Sequence, residues 1–162
     1  VSGIFSPEQR AIYQIVFDAQ TAGINAAING TTFRAFSEAT NEVVQKGLLA
    51  LGLIEKKEEY RWYLPHGISH HIGLDVHDPG LYDKLSPSMV ITVEPGIYIP
   101  EGSPCDPKWW NIGIRIEDDI LITDTTPINL SSNAPRSWND IEAMMAKKSA
   151  LDNFVLPELS ID

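Results

Sequence analysis

Residues 112–123 read Ile-Gly-Ile-Arg-Ile-Glu-Asp-Asp-Ile-Leu-Ile-Thr, and within them Ile112, Ile114 and Ile116 alternate with Gly113, Arg115 and Glu117. A period of two is the pattern of a strand with one buried face, and it puts Arg115 and Glu117 on the same side. Met89 to Val93 and Gly96 to Ile99 read as strands too. From Tyr63 onward, short apolar runs broken by Gly, Pro and Asp indicate strands and loops rather than helix.

Upstream the period changes. Ser6-Pro7-Glu8 is a helix start, with Ser as N-cap, Pro at the first helical position and an acid near the positive end of the dipole. Ile12, Ile15, Val16, Ala19 and Ile24 recur at helical spacing, which predicts a helix to about Ala27 that ends at Asn29-Gly30. A second helix is predicted after Thr31-Thr32, with Phe33, Phe36, Ala39, Val43, Val44, Leu48 and Leu51 as its apolar stripe until Gly52. The charged stretch Glu55 to Arg61 reads as a solvated turn. A last helix is predicted from Ser137-Trp138-Asn139-Asp140 to about Lys148, and Ser149 to Asp162 has no strong pattern. The expected fold is α+β: two N-terminal helices on a curved, mainly antiparallel sheet, with the site in its concave face.

The chain has 162 residues, enough for one domain, and its 43% hydrophobic and 21% charged content is that of a chain with a core. A formal net charge of -10 works against a nucleic-acid or anionic-membrane partner, because either would repel the protein before short contacts form. Cys105 is the only cysteine, so there is no internal disulfide and no multi-thiolate metal site, which suits a reducing cytoplasm. No stretch of 18 apolar residues is present to span a bilayer, and the N-terminus lacks the layout of a signal peptide. Because the first residue is Val1, the chain is expected to begin within a longer protein.

All four histidines, His66, His70, His71 and His77, fall within a single twelve-residue stretch, His-Gly-Ile-Ser-His-His-Ile-Gly-Leu-Asp-Val-His. Core packing accounts for one or two histidines, less readily for four. Glu94 ends the apolar run Val-Ile-Thr-Val-Glu-Pro-Gly, where a buried charge needs a partner, and Glu117 lies between isoleucines. An ion pair with Arg115 or a lysine is one answer for Glu117; a metal is another. One imidazole and two carboxylates make a nitrogen and oxygen set that suits Mn, Co, Zn or Fe. Three such ligands can hold one ion with open positions, whereas a hydrolytic pair roughly 3.5 Å apart needs more bridging carboxylates. On spacing alone a metal hydrolase stands beside the ion-pair reading.

His66-Gly-Ile-Ser-His70, Gly-Leu-Asp-Val-His77-Asp, Val-Glu94-Pro-Gly-Ile-Tyr and Gly-Ile-Arg115-Ile-Glu117-Asp resemble, in order and spacing, the motifs of the Xaa-Pro aminopeptidases (aminopeptidase P) and prolidases, the pita-bread metallopeptidases. The resemblance runs from Val-Ser-Gly-Ile-Phe-Ser-Pro-Glu-Gln-Arg near the start to Ala-Pro-Arg-Ser-Trp-Asn-Asp-Ile-Glu-Ala-Met-Met near the end. It implies a creatinase/aminopeptidase-like fold and two divalent metal ions, manganese first, with cobalt or zinc as alternatives. By it His70, Glu94 and Glu117 are metal ligands, Glu94 also serves as general base, and His77 steadies the substrate and the tetrahedral intermediate. His66 lines the substrate side and Arg115 supports proton movement beside Glu117; His71 matches no functional position. The implied reaction releases the N-terminal residue of a peptide whose second residue is proline, a ring recognised by shape because it has no N–H to donate. Tyr98, Trp109 and Trp110 are candidates for an apolar wall, with ordinary core or loop packing the favoured reading of each.

The family uses two further aspartate ligands on strands ahead of the segment that Val1 to Arg10 resembles, and no aspartate here takes their place. Residues 1–162 are therefore expected to be a single partial peptidase domain with an incomplete site, weak metal binding and little activity alone. The exposed sheet edge that follows from this favours a homodimer or strand exchange. A prolidase restricted to X-Pro dipeptides is the nearest alternative. A pita-bread binding module without catalysis and a metal-free hydrolase of the creatinase type are the others, both disfavoured by the retained His70, Glu94 and Glu117.

Overall fold

A computed structural model describes residues 3–149, 151 and 154–155. Helix α1 spans Pro7–Ala26 and is capped as its sequence indicates: the Ser6 hydroxyl accepts from the Gln9 N–H and the Gln9 side chain accepts from the Ser6 N–H. Helix α2 spans Phe33–Ala50, with the Thr32 hydroxyl accepting from the Ala35 N–H. Ile12, Val16 and Ala19 of α1 and Phe36, Val44 and Leu48 of α2 are fully buried. Two glycines set how closely these elements approach. A Cβ on Gly23 would lie 2.6 Å from Thr40 Oγ1 and 2.9 Å from Val93 Cγ1, and one on Gly47 would lie 2.6 Å from the Ile15 side chain.

The charged stretch after α2 is not a solvated turn. It forms a 3-10 helix, Lys57–Trp62, because one residue in it, Tyr60, turns its ring into the core while the Glu59 carboxylate accepts from the Glu55 and Lys56 N–H groups at 2.9 and 3.0 Å. The charges stay outside.

The strands are β1 (Val90–Val93), β2 (Gly96–Ile99), β3 (Ile112–Arg115), β4 (Asp118–Leu121) and β5 (Ile128–Asn129), paired antiparallel throughout as β1-β4-β5 and β2-β3. The run 112–123, read above as one strand, is two strands parted at Ile116-Glu117. The physical reason lies opposite. Val93 faces Asp118 and Gly96 faces Arg115, with two residues between on each side, so the register is unbroken and Pro95 faces Ile116. Proline has no N–H to give to the ladder, and the one remaining bond there, Ile116 N–H to Pro95 O, is long at 3.4 Å. The free edge of β1 is lined by residues 68–72: Glu94 and Thr92 donate to Ile68 O and His70 O at 2.9 Å, and Ile72 donates to Val90 O at 3.0 Å.

One face of β1 and β4 presents Ile91, Val93 and Ile120, all fully buried, and α1 packs across the strands on this side. The opposite face carries the site. Two tight turns use left-handed residues, Ser88 at φ 72 and Asn111 at φ 62. Helix α3, Trp138–Met145, stops short of the predicted Lys148 and buries none of its residues. Polar contacts hold it: Arg10 Nη2 meets both Glu142 oxygens at 2.9 and 3.1 Å, the Phe5 N–H donates to Glu142 at 2.9 Å, and the Arg10 guanidinium lies 4.4 Å from the Trp138 ring centroid. The tail beyond Ser149 falls almost wholly outside the described residues. No described helix is long and apolar enough to cross a membrane.

Candidate metal centre

Alternation along β1, β4 and the 68–72 segment determines what meets on the open face. His70 pairs with Thr92 through the backbone, Glu94 lies two residues beyond Thr92 on the same face, and Glu117 sits opposite Glu94 across the ladder gap. Ligand atoms of His70, Glu94 and Glu117 all lie within 4.8 Å of one another. His70 Nε2 is 3.3 Å from a Glu94 oxygen, and both side chains are only 13% exposed.

The local hydrogen bonds aim these groups. His70 Nδ1 is 3.0 Å from the His71 carbonyl, a contact that turns Nε2, the nitrogen nearer Glu94, into the site. Thr92, itself buried, ties the histidine to the carboxylate: its hydroxyl accepts from the His70 N–H at 3.0 Å and donates to Glu94 Oε1 at 3.2 Å. Sequence reasoning missed Thr92, although its place two residues before Glu94 on a strand puts it on the same face.

Two carboxylates in a partly desolvated gap repel each other. Burial, and then the Glu94 charge, push the Glu117 carboxyl above its ordinary range, with Arg115 and His70 pulling the other way. Arg115 does not neutralise the pair: its Nε stands 3.9 Å from Glu117 and both side chains are about half exposed. The donor set therefore fits a divalent cation, with an imidazole nitrogen and two carboxylates converging and, among the described residues, no lysine paired with them.

The remaining sequence-predicted residues surround this cluster. An open depression of about 320 Å³ is lined by His66, Gly67, Ser69, His70, His77, Glu94 and Arg115. The His77 ring lies 4.3 Å from that of His70, tilted by 66°. His66 Nδ1 faces the Gly67 carbonyl at 2.5 Å, so its Nε2 accepts from the Tyr98 hydroxyl at 3.0 Å. Tyr98 is thus at the site, whereas Trp109 is buried in the core and Trp110 Nε1 donates to Ser103 O at 3.0 Å. His71 is structural: it is buried between Phe33 and Tyr82, and its Nε2 meets Leu81 O at 3.2 Å. A larger hollow of about 570 Å³ between α1 and α3 contains none of these groups.

Comparison with known proteins places this geometry. The chain is 37% identical to Xaa-Pro aminopeptidase 3 of Rattus norvegicus over 92% of its length and 39% identical to the Xaa-Pro aminopeptidase of Escherichia coli (strain K12) over 90%. It spans about a third of those relatives, 31% and 36%. Among solved structures, the aminopeptidase PepP of Pseudomonas aeruginosa superposes with a TM-score of 0.84 at 39% identity, covering 89% of this chain and 36% of that one. Aminopeptidase P from E. coli with the inhibitor Pro-Leu gives 0.80 at 39% identity, covering 88% and 35%. The fold is the pita-bread arrangement of these structures, present here as antiparallel sheets with helices and no closed barrel. Metallopeptidase family M24 matches residues 1–124, a span that holds α1, α2, the histidine stretch, Glu94 and Glu117, and the chain belongs to that family.

Proposed function

We propose that this chain carries part of the catalytic site of a metal-dependent aminopeptidase that releases the N-terminal residue from peptides with proline in second position. The observation that supports it is the opposition of Glu94 and Glu117 beside Nε2 of His70, which is costly in stability without a cation and useful with one. These three residues would hold a divalent ion, with manganese the first choice for an oxygen-rich set and cobalt or zinc next. When bound, the metal supplies Lewis-acid polarisation of the scissile carbonyl and an acidified water. Glu94, steadied by Thr92, receives the proton of the attacking water. His77 is exposed beside His70 and offers a ring N–H to the carbonyl oxygen as charge develops on it. His66, held by Tyr98, borders the peptide, and Arg115 stands beside Glu117 to offset charge as the proton moves.

Residues 1–162 form, on this reading, a single partial peptidase domain. The relatives' names and the Pro-Leu complex support a proline-directed peptide substrate. The lone cysteine agrees with a reducing compartment such as the cytoplasm, and β3, which among the described residues pairs with β2 alone, offers an edge that a homodimer would cover. The test is a calorimetric Mn titration of the chain and of Glu117→Ala, in which weak binding is expected, with whatever slight cleavage residues 1–162 show compared between Gly-Pro-X tripeptides and X-Pro dipeptides. Glu117-dependent binding supports the reading. Binding indifferent to Glu117, or none, sinks it, and cutting confined to dipeptides replaces the aminopeptidase by a prolidase.

A further inference from the structure

Behind the open face, on the helix side of the same strands, lies a buried polar chain that nothing in the proposed chemistry uses. Alternation sends Glu117 to the site and its neighbour Asp118 the other way, where it is 2% exposed. Arg136 Nη1 donates to Asp118 Oδ2 at 2.9 Å and to Gln20 Oε1 at 2.7 Å. Gln20, fully buried on α1, passes the connection on through its Nε2 to Val93 O at 3.2 Å. The Tyr13 hydroxyl donates to the Arg136 carbonyl at 2.5 Å and so fixes the arginine from its backbone side.

The two ends of this chain decide its meaning. Val93 precedes Glu94, Asp118 follows Glu117, and Val93 and Asp118 are themselves register partners. The network thus bridges the last regular pair before the gap where Pro95 removes a ladder bond and where the two carboxylates push apart. Where the backbone ladder holds the strands least, side chains from α1 and from the approach to α3 take over.

Resting on the metal-site reading above, we infer that Gln20, Arg136 and Asp118 are positioning residues that fix the spacing of Glu94 and Glu117 for a cation, acting through the backbone of β1 and β4 without touching the ion. A purely structural ion pair would stabilise the fold and leave the affinity of the folded protein unchanged. The two roles separate experimentally.

The experiment measures Mn affinity and metal-free thermal stability for the chain and for Gln20→Met, Arg136→Met, Arg136→Lys and Glu117→Ala. Gln20→Met is close in shape and leaves the Asp118 ion pair in place, so it tests the link to Val93 even if Arg136→Met fails to fold. The expected result is affinity about tenfold weaker in Gln20→Met, the scale on which groups that orient ligands act, with Arg136→Lys recovering part of what Arg136→Met loses. Glu117-dependent binding that is unchanged in folded Gln20→Met overturns the positioning role alone. Absence of Glu117-dependent binding in the unaltered chain overturns it together with the metal site.

Discussion

Glu94 and Glu117 are cross-strand partners, facing each other in the one place where the β1-β4 and β2-β3 ladders are interrupted. Like charges directly opposite on a sheet destabilise it, and the Glu117 carboxyl is raised first by its burial and then by the Glu94 charge. The metal-free protein therefore stores an unfavourable contact at its site.

Glu117→Gln should make the metal-free chain more stable at pH 7 while abolishing its Mn affinity. The folded-state value of Glu117 lies above its unfolded value, so its stabilising contribution is present at low pH and is lost as pH rises through the raised value. Removing the charge eliminates that loss. The gain is held to less than about 1 kcal/mol because the group is partly solvated. Urea unfolding in chelator at pH 4 and pH 7 measures both parts; a variant less stable than the parent at pH 7 contradicts the account.

Thr92→Val should weaken the site from within. It leaves the partly buried His70 N–H without its acceptor and frees Glu94 to turn. An unsatisfied buried donor costs about 1–3 kcal/mol, and the same variant should bind Mn less tightly. Unchanged stability and affinity together would remove Thr92 from the site.

Gly23→Ala tests how closely α1, α2 and β1 are pressed together. Alanine is intrinsically the better helix former by about 1 kcal/mol, but its methyl would meet Thr40 and Val93 well inside contact distance. Overpacking of this kind costs about 1–3 kcal/mol, so the net change in chemical denaturation should be destabilising or at best neutral. A clear gain in stability would show that the helices have room to separate.

Ser88→Gly should act in the opposite sense. Ser88 holds φ 72 in the turn before β1, a conformation that costs an L residue about 1 kcal/mol and glycine almost nothing. The expected outcome is a higher melting temperature with no change in metal binding.

The docking of α3 should depend on pH. The Phe5 N–H, and then Arg10, hold the Glu142 carboxyl below its ordinary range, so its contribution is present above the unfolded value and is lost as pH falls through the lowered one. Glu142→Gln should reproduce the low-pH behaviour at neutral pH, seen as faster amide exchange along α3 and unchanged exchange in α1. Equal protection of α3 in both proteins would mean that Trp138 stacking alone holds it.

What could be read without coordinates was whatever depends on period and on caps. Ser6 and Thr32 begin helices because hydroxyls there meet orphan N–H groups, and α1 and α2 follow their apolar stripes. Glu94 and Glu117 stood out because charges on apolar strands need a partner, whereas His70 was distinguished from the other three histidines only by the resemblance of its motif. Long-range polar pairing was not legible. Nothing local marks Gln20 or Arg136, separated by most of the chain, as neighbours of the strands that hold the glutamates. The break at Ile116 was also hidden, because its cause is the proline on the opposite strand. Tyr60 shows a third limit: one aromatic ring committed to the core outweighs the charges around it.

The hairpin formed by residues 90–99 and 112–121 has a consequence for the order of folding. Its strands are close in sequence, so little loop entropy is lost in closing it, and closure alone brings both glutamates face to face. His70 and the Gln20–Arg136 bridge come from elsewhere in the chain and arrive only when other elements dock. The electrostatic conflict is therefore met early, with only the half-exposed Arg115 of the same hairpin to offset it. A proton or a divalent cation present during refolding should lower that barrier, and so speed the protein's assembly as well as equip its site.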